Sequence, residues 1–145
     1  MILALETATA ACSAALVAPD GELIAERIEL RGPAHTRVLL RQAHEVLEEA
    51  GVATADVETV VVGLGPGAFT GLRIGVATAR GLALAGATRL GGVPTLTALA
   101  LALSGAVGGE ASRRLLPLID ARRREVFAAC YERASHEREA VERAD

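Results

Sequence analysis

Three glycines at alternate positions, Gly63, Gly65 and Gly67, are the residues of this chain best placed to do chemistry. Pro66 is held between two of them. Glycine admits positive φ and proline fixes φ near −65°, so the sequence predicts a tight, pre-shaped turn. A β-branched run at 60–62 precedes it, and a helical pattern runs from about Thr70 to Ala87. A strand, a glycine turn and a helix N-terminus together aim backbone N–H groups at one point, which is an anion site in principle. Gly65, Gly67, Ala68, Phe69 and Thr70 are the candidates for holding a nucleotide or another anion there.

Two nucleotide-binding patterns can be tested against this stretch. A phosphate-binding loop of the Walker type needs a Lys after its last Gly, and all 15 basic residues of the chain are Arg. Gly63-x-Gly65-x-x-Ala68 fits the dinucleotide fingerprint G-x-G-x-x-A. That pattern also needs an acidic residue about 20 positions further on, and no Asp or Glu occurs between Thr59 and Gly109. Other chemistry is sparse. His35 and His44 are nine positions apart, so they face different sides of any shared helix and are better read as a helix-start residue and a solvated position. Cys12 and Cys130 match no metal spacing, and each is expected to be a buried thiol.

The elements that must position the turn follow from the pattern around it. Residues 1–5 and 12–18 read as strands, and Pro19-Asp20-Gly21 is a hairpin turn leading to a third strand over 22–30. Residues 36–50 form an amphipathic helix closed by Gly51, with Leu39, Leu40, Ala43, Val46, Leu47 and Ala50 as its apolar stripe. Arg41 with Glu45, and His44 with Glu48, are i,i+4 pairs on its polar side. In the glycine-rich helix, Gly71, Gly75 and Ala79 recur every four residues. Each helical glycine costs about 1 kcal/mol relative to Ala, so close approach by another element is expected there. That element is either the chain's own sheet or a second subunit. Arg73, Ala77, Arg80 and Leu84 form a separate face. A strand over 89–93, ended by Pro94, precedes a helix of about 95–103 capped by Thr95.

Composition bounds the possibilities. Hydrophobic residues make up 51% of the chain, enough for a core, yet aromatics make up only 2%, so the core is built from Ala, Val, Leu and Ile. With few stacking aromatics and a net charge of −3, direct nucleic-acid binding is not favoured. The apolar run 81–109 is interrupted by Arg89, Pro94 and several glycines, so it does not read as a membrane span. Glu6 interrupts the start of the chain and no basic region precedes it, which argues against a signal peptide and for the cytoplasm.

The stretch 63–85, GLGPGAFTGLRIGVATARGLALA, resembles the signature of the bacterial TsaB (YeaZ) family, which belongs to the Gcp-like group of the actin-like ATPase superfamily. Pro66, Phe69, Thr70, Gly71, Arg73, Gly75 and Arg80 all stand where that signature has them. Ala68 stands where the family usually carries Ser, and Arg124 where a turn Gly is usual. The resemblance implies an α/β fold. It consists of a ribonuclease-H-like first lobe with a mixed sheet and flanking helices over 1–103, followed by a truncated second lobe. A linker is expected over 104–114, the opening hairpin of the second lobe over 115–132, and a charged tail over 133–145.

The resemblance also implies a function. The family's members are non-catalytic subunits of the machinery that forms threonylcarbamoyladenosine beside the tRNA anticodon. A TsaD-like subunit holds the metal and performs the transfer, a TsaE-like ATPase uses ATP, and tRNA is met only through the complex. By this implication the chain binds no cofactor by itself, is no enzyme, and forms a homodimer when alone. In the metal-holding relatives a His-x-x-x-His pair occupies the positions of Thr95 and Leu99. Glu6, followed by Thr7, lies where actin-like ATPases carry an acid that helps hold metal and phosphate. It can instead be a carboxylate satisfied by amides of the adjacent turn. The alternative function is an actin-like ATPase or nucleotide-binding enzyme of the once peptidase-labelled Gcp-like group. For the subunit reading, the interface is expected at Gly71, Arg73, Gly75, Ala79 and Arg80, flanked by Leu39 and Leu40.

Overall fold

A computed structural model describes residues 1–30, 35–106, 114–122 and 124–132. Five strands form one mixed sheet: β1 (Ile2–Glu6), β2 (Ala11–Val17), β3 (Leu23–Leu30), β4 (Thr59–Gly63) and β5 (Arg89–Val93). Their spatial order is β3-β2-β1-β4-β5. β1, β2 and β3 are an antiparallel meander, whereas β4 runs parallel to both β1 and β5. Parallel neighbours need a crossover. α1 (His35–Ala50) lies in the connection before β4, and α2 (Phe69–Gly86) in the one before β5. This is the ribonuclease-H-like lobe that the sequence implies.

The pleat decides which residues make the core. Leu3 and Leu5 of β1, Cys12, Ala14 and Leu16 of β2, and Val60 and Val62 of β4 alternate onto one face and are buried. Leu39, Ala43, Val46 and Leu47 of α1 and Ala79 of α2 close over them. The turn between β2 and β3 uses Gly21 at φ 94°, and Glu22 N–H donates to Asp20 Oδ1 at 3.1 Å. β3 shows the same pleat with charge on it. Arg27 and Glu29 are paired in register with Ala14 and Cys12, so they share the α1 side of the sheet. Arg27 bonds Glu49 and also approaches Glu45 at 3.9 Å, and Arg41 bonds Glu29 at 3.1 Å. The expected pairs within α1 are present, Arg41 with Glu45 at 3.7 Å and His44 with Glu48 at 3.2 Å.

Several boundaries differ from the sequence reading. α2 ends at Gly86, and Ala87 takes the left-handed conformation at φ 50° that stops the helix. α3 (Thr95–Ala106) runs past residue 103, so the first residues assigned to the linker are helical. A single hairpin was expected over 115–132. Instead β6 (Arg114–Leu115) pairs with β9 (Tyr131–Glu132), and β7 (Leu118–Arg122) with β8 (Glu125–Ala128). Pro117, which has no N–H to give a ladder, separates β6 from β7. Arg124, at the family's Gly position, adopts φ 66°. The rest of the expected linker, 107–113, and the charged tail, 133–145, lie outside the described residues.

Candidate functional site

The parallel pairing of β1 with β4 brings the ends of both strands to one edge of the sheet, and the glycine turn leaves from there. Glu6 is the last residue of β1. Its Oε1 accepts the N–H groups of Thr7 at 2.7 Å and Ala8 at 2.6 Å. Its Oε2 accepts the hydroxyl of Thr95, at the start of α3, at 3.0 Å. Thr95 Oγ1 accepts in turn from Gly65 N–H at 3.1 Å, and Thr95 N–H donates to Gly65 O at 2.8 Å. Two backbone amides and one hydroxyl therefore converge on a carboxylate that belongs to the chain itself. The carboxylate also fills the space a side chain at Gly63 would need.

The turn is occupied in the same manner. Gly65 N–H is committed to Thr95, and Ala68 N–H donates to Ala8 O at 2.6 Å. Ala68 is the N-cap of α2 and offers no side-chain bond to the helix, the consequence of lacking the family's Ser. Of the candidate anion-binding residues, the structure brings Glu6, Thr7, Gly65, Gly67 and Ala68 together. It places Thr70 and Phe69 on the exposed first turn of α2. Phe69 is 73% exposed, and the Arg73 guanidinium lies over its ring at 5.4 Å from the centroid.

The small-residue stripe of α2 faces inward, which corrects the expected interface. A side chain at Gly71 would overlap the Thr7 carbonyl, and one at Gly75 would overlap the Thr7 hydroxyl and touch Val62. Thr7 Oγ1 donates to Gly71 O at 2.8 Å, tying the helix to the end of β1. Gly71, Gly75 and Ala79 are buried against the chain's own sheet and the turn after β1, so none of them can meet a second subunit. Leu39 is likewise fully buried in the core, whereas its neighbour Leu40 is 48% exposed. Arg73 and Arg80 do face outward. A 3.6-residue period puts positions four apart on one side, but it does not say whether that side meets sheet or solvent.

Sequence reasoning did not find Thr95 as the partner of Glu6. The two are 89 residues apart, and nothing local to either residue signals the contact. The inter-element pairs of Arg27 and Arg41, and the bond of Thr97 with Tyr131 at 3.1 Å, were equally silent. Of the cysteines, Cys12 is buried as expected and Cys130 is exposed, which corrects the reading of that thiol. Burial, with a smaller contribution from Glu29, pushes the Cys12 thiol up from its ordinary value. Among the described residues no helix is long and apolar enough to cross a membrane.

The mixed five-stranded sheet with its flanking helices is an α/β lobe of the actin-like ATPase type, as the family-model match and the structural match below show. Residues 27–144 match the family model described as TsaD, tRNA N6-adenosine threonylcarbamoyltransferase. The tRNA threonylcarbamoyladenosine biosynthesis protein TsaB of Escherichia coli is 42% identical over 132 residues, covering 91% of this chain and 55% of that protein. The Bacillus subtilis protein of the same name is 33% identical, covering 90% and 55%. The solved structure of YeaZ from Pseudomonas aeruginosa superposes with a TM-score of 0.78 at 36% identity, covering 92% of this chain and 61% of that one. The chain belongs to the TsaB (YeaZ) family, within the wider group that the transferase model describes. It spans about half the length of the curated relatives it matches.

Proposed function

We propose that this chain is a non-catalytic subunit in the formation of threonylcarbamoyladenosine in tRNA, acting by binding and activating a TsaD-like transferase. The observation that carries the reading is the Glu6 carboxylate, both of whose oxygens are engaged within the chain: Oε1 by Thr7 N–H and Ala8 N–H, and Oε2 by the Thr95 hydroxyl. An acid held in that way is oriented by the chain's own amides and hydroxyl, as a structural carboxylate is. The same Thr95, with Leu99, stands at the positions where the resemblance puts the metal-holding histidines of TsaD-like relatives, and neither can ligate in that role. ATP and metal therefore belong to the partners, a TsaD-like subunit and a TsaE-like ATPase, and tRNA is met through the complex.

The test is co-purification with the TsaD-like protein of the same host, followed by mass spectrometry of tRNA from cells depleted of this chain. Stable association and loss of threonylcarbamoyladenosine on depletion are expected. ATP hydrolysis by the isolated protein that disappears in Glu6→Ala would instead establish the ATPase reading.

A further inference from the structure

The interior of the lobe is not filled everywhere. A cavity of about 140 Å³ lies between α1, the C-terminal end of α2 and the segment that leads into β4. Leu3 of β1 and Val60 of β4 form its floor, and Ala43, Leu47 and Val57 its buried wall. The sequence accounts for the space. α1 presents Ala43 to it and α2 presents Gly86, both small. Aromatic residues make up only 2% of the chain, so few side chains are large enough to reach across. Protein interiors hold few voids larger than a water molecule, and a void lined by apolar atoms forfeits their contacts on its open side. The exposed Leu40, His44 and Thr54 rim the opening, so the cavity communicates with solvent.

One polar group in the wall is out of place. Thr88, just before β5, buries its hydroxyl, which has no hydrogen-bond partner among the described residues. Buried hydroxyls are normally paired. The Thr88 methyl is the group turned towards Gly86, its Cγ2 lying 3.0 Å from where a side chain at Gly86 would begin. Rotation of χ1 by one staggered step exchanges the methyl for the hydroxyl and turns the hydroxyl towards the cavity.

We propose that this cavity is a binding site for a small apolar molecule, of the size of one ring, that carries a single hydroxyl; phenol is the simplest of the class. An apolar cavity of about 150 Å³ accepts benzene, so the volume admits one six-membered ring and little more. The ring lies against Leu3, Leu47 and Val60, and its hydroxyl bonds Thr88 Oγ1. Apart from His44 at the mouth, which faces Glu48 at 3.2 Å, no ionisable group lines the cavity, so a charged ligand would lose its hydration without compensation. The site is separate from the Glu6 network and needs no partner subunit, so it goes beyond the subunit reading.

The experiment is methyl NMR of the full chain, labelled at Leu and Val, titrated with phenol and with toluene. With both, the signals of Leu3, Leu47 and Val60 should shift and saturate, while those of Leu118 and Val126 in the β7–β8 pair stay in place. Thr88→Val keeps the shape and removes the hydroxyl; it is expected to weaken phenol about tenfold and to leave toluene unchanged. Ala43→Leu fills the cavity and should abolish binding of both probes with the wild-type circular dichroism retained. Leu82→Phe fills the same space from α2 and serves as the second blocking variant if Ala43→Leu does not fold. Absence of saturable shifts with either probe in the wild type overturns the site. Binding that survives in a folded blocking variant also overturns it, because the molecule would then sit elsewhere. If Thr88→Val weakens phenol and toluene equally, or neither, a hydroxyl-bearing ligand is refuted.

Discussion

Replacing Gly71 by Ala tests the contact that joins α2 to the end of β1. The new methyl would lie well inside van der Waals contact of the Thr7 carbonyl oxygen, a backbone atom that cannot swing aside. Either α2 moves outward or the chain after Glu6 moves, and each strains the Glu6 and Thr7 bonds. Overpacking of this kind costs about 1–3 kcal/mol. Stretching the 2.8 Å bond from Thr7 Oγ1 to Gly71 O adds roughly 1 kcal/mol. Alanine returns about 1 kcal/mol through its better helix propensity. The net expectation is a loss of roughly 1–3 kcal/mol, or about 3 °C in Tm for each kcal/mol.

The internal control is Gly81→Ala, in the same helix, where nothing lies within 4 Å of the added methyl. Only the propensity term remains there, so a gain of about 0.5–1 kcal/mol is expected. Urea unfolding of the wild type and the two variants, with constant m-values, gives both signs in one series. If Gly71→Ala stabilises as much as Gly81→Ala, the close approach of α2 to Thr7 is refuted. Gly75→Leu belongs to the same argument and should lower Tm directly, because its site is internal.

Glu6→Ala leaves the N–H groups of Thr7 and Ala8 and the Thr95 hydroxyl without their shared acceptor, and should cost about 2–3 kcal/mol in urea unfolding; an unchanged midpoint would mean that water replaces the carboxylate at no cost. In the native protein a disulfide reagent should label Cys130 rapidly and Cys12 only at the rate of opening, and equal rates would contradict the burial of Cys12. Since the folded Cys12 thiol holds its proton above the ordinary value of 9.0, the unfolded chain ionises first; stability should therefore be intact below pH 9 and fall as pH rises beyond it, an effect absent in Cys12→Ala. Hydrogen exchange should be faster in β8, whose residues are all exposed, than at Val60 and Val62 in the central sheet; equal protection would mean that the β7–β8 pair is held as firmly as the first lobe.

What the sequence determined by itself is the set of local conformations and the family. Alternation in β1 and β2, the 3.6-residue stripe of α1, and the glycines and Pro66 before α2 each act through φ, ψ and side-chain direction within a few residues. They were legible for that reason. The motif 63–85 is long enough to identify the family, and through it the fold class. The tertiary structure alone decided which face of each element is covered. Gly71 and Gly75 read equally well as sites for a partner or for the chain's own sheet; the parallel placement of β4 beside β1 put Thr7 over them and left Arg73 and Arg80 outside. Glu6 read equally well as a ligand for metal and phosphate or as an internally satisfied acid. Thr95, brought to it by the crossover through α2 and β5, settles where its hydrogen bonds go. Periodicity sets the direction of a side chain relative to its own helix or strand, whereas its neighbours come from distant chain segments that local geometry does not specify.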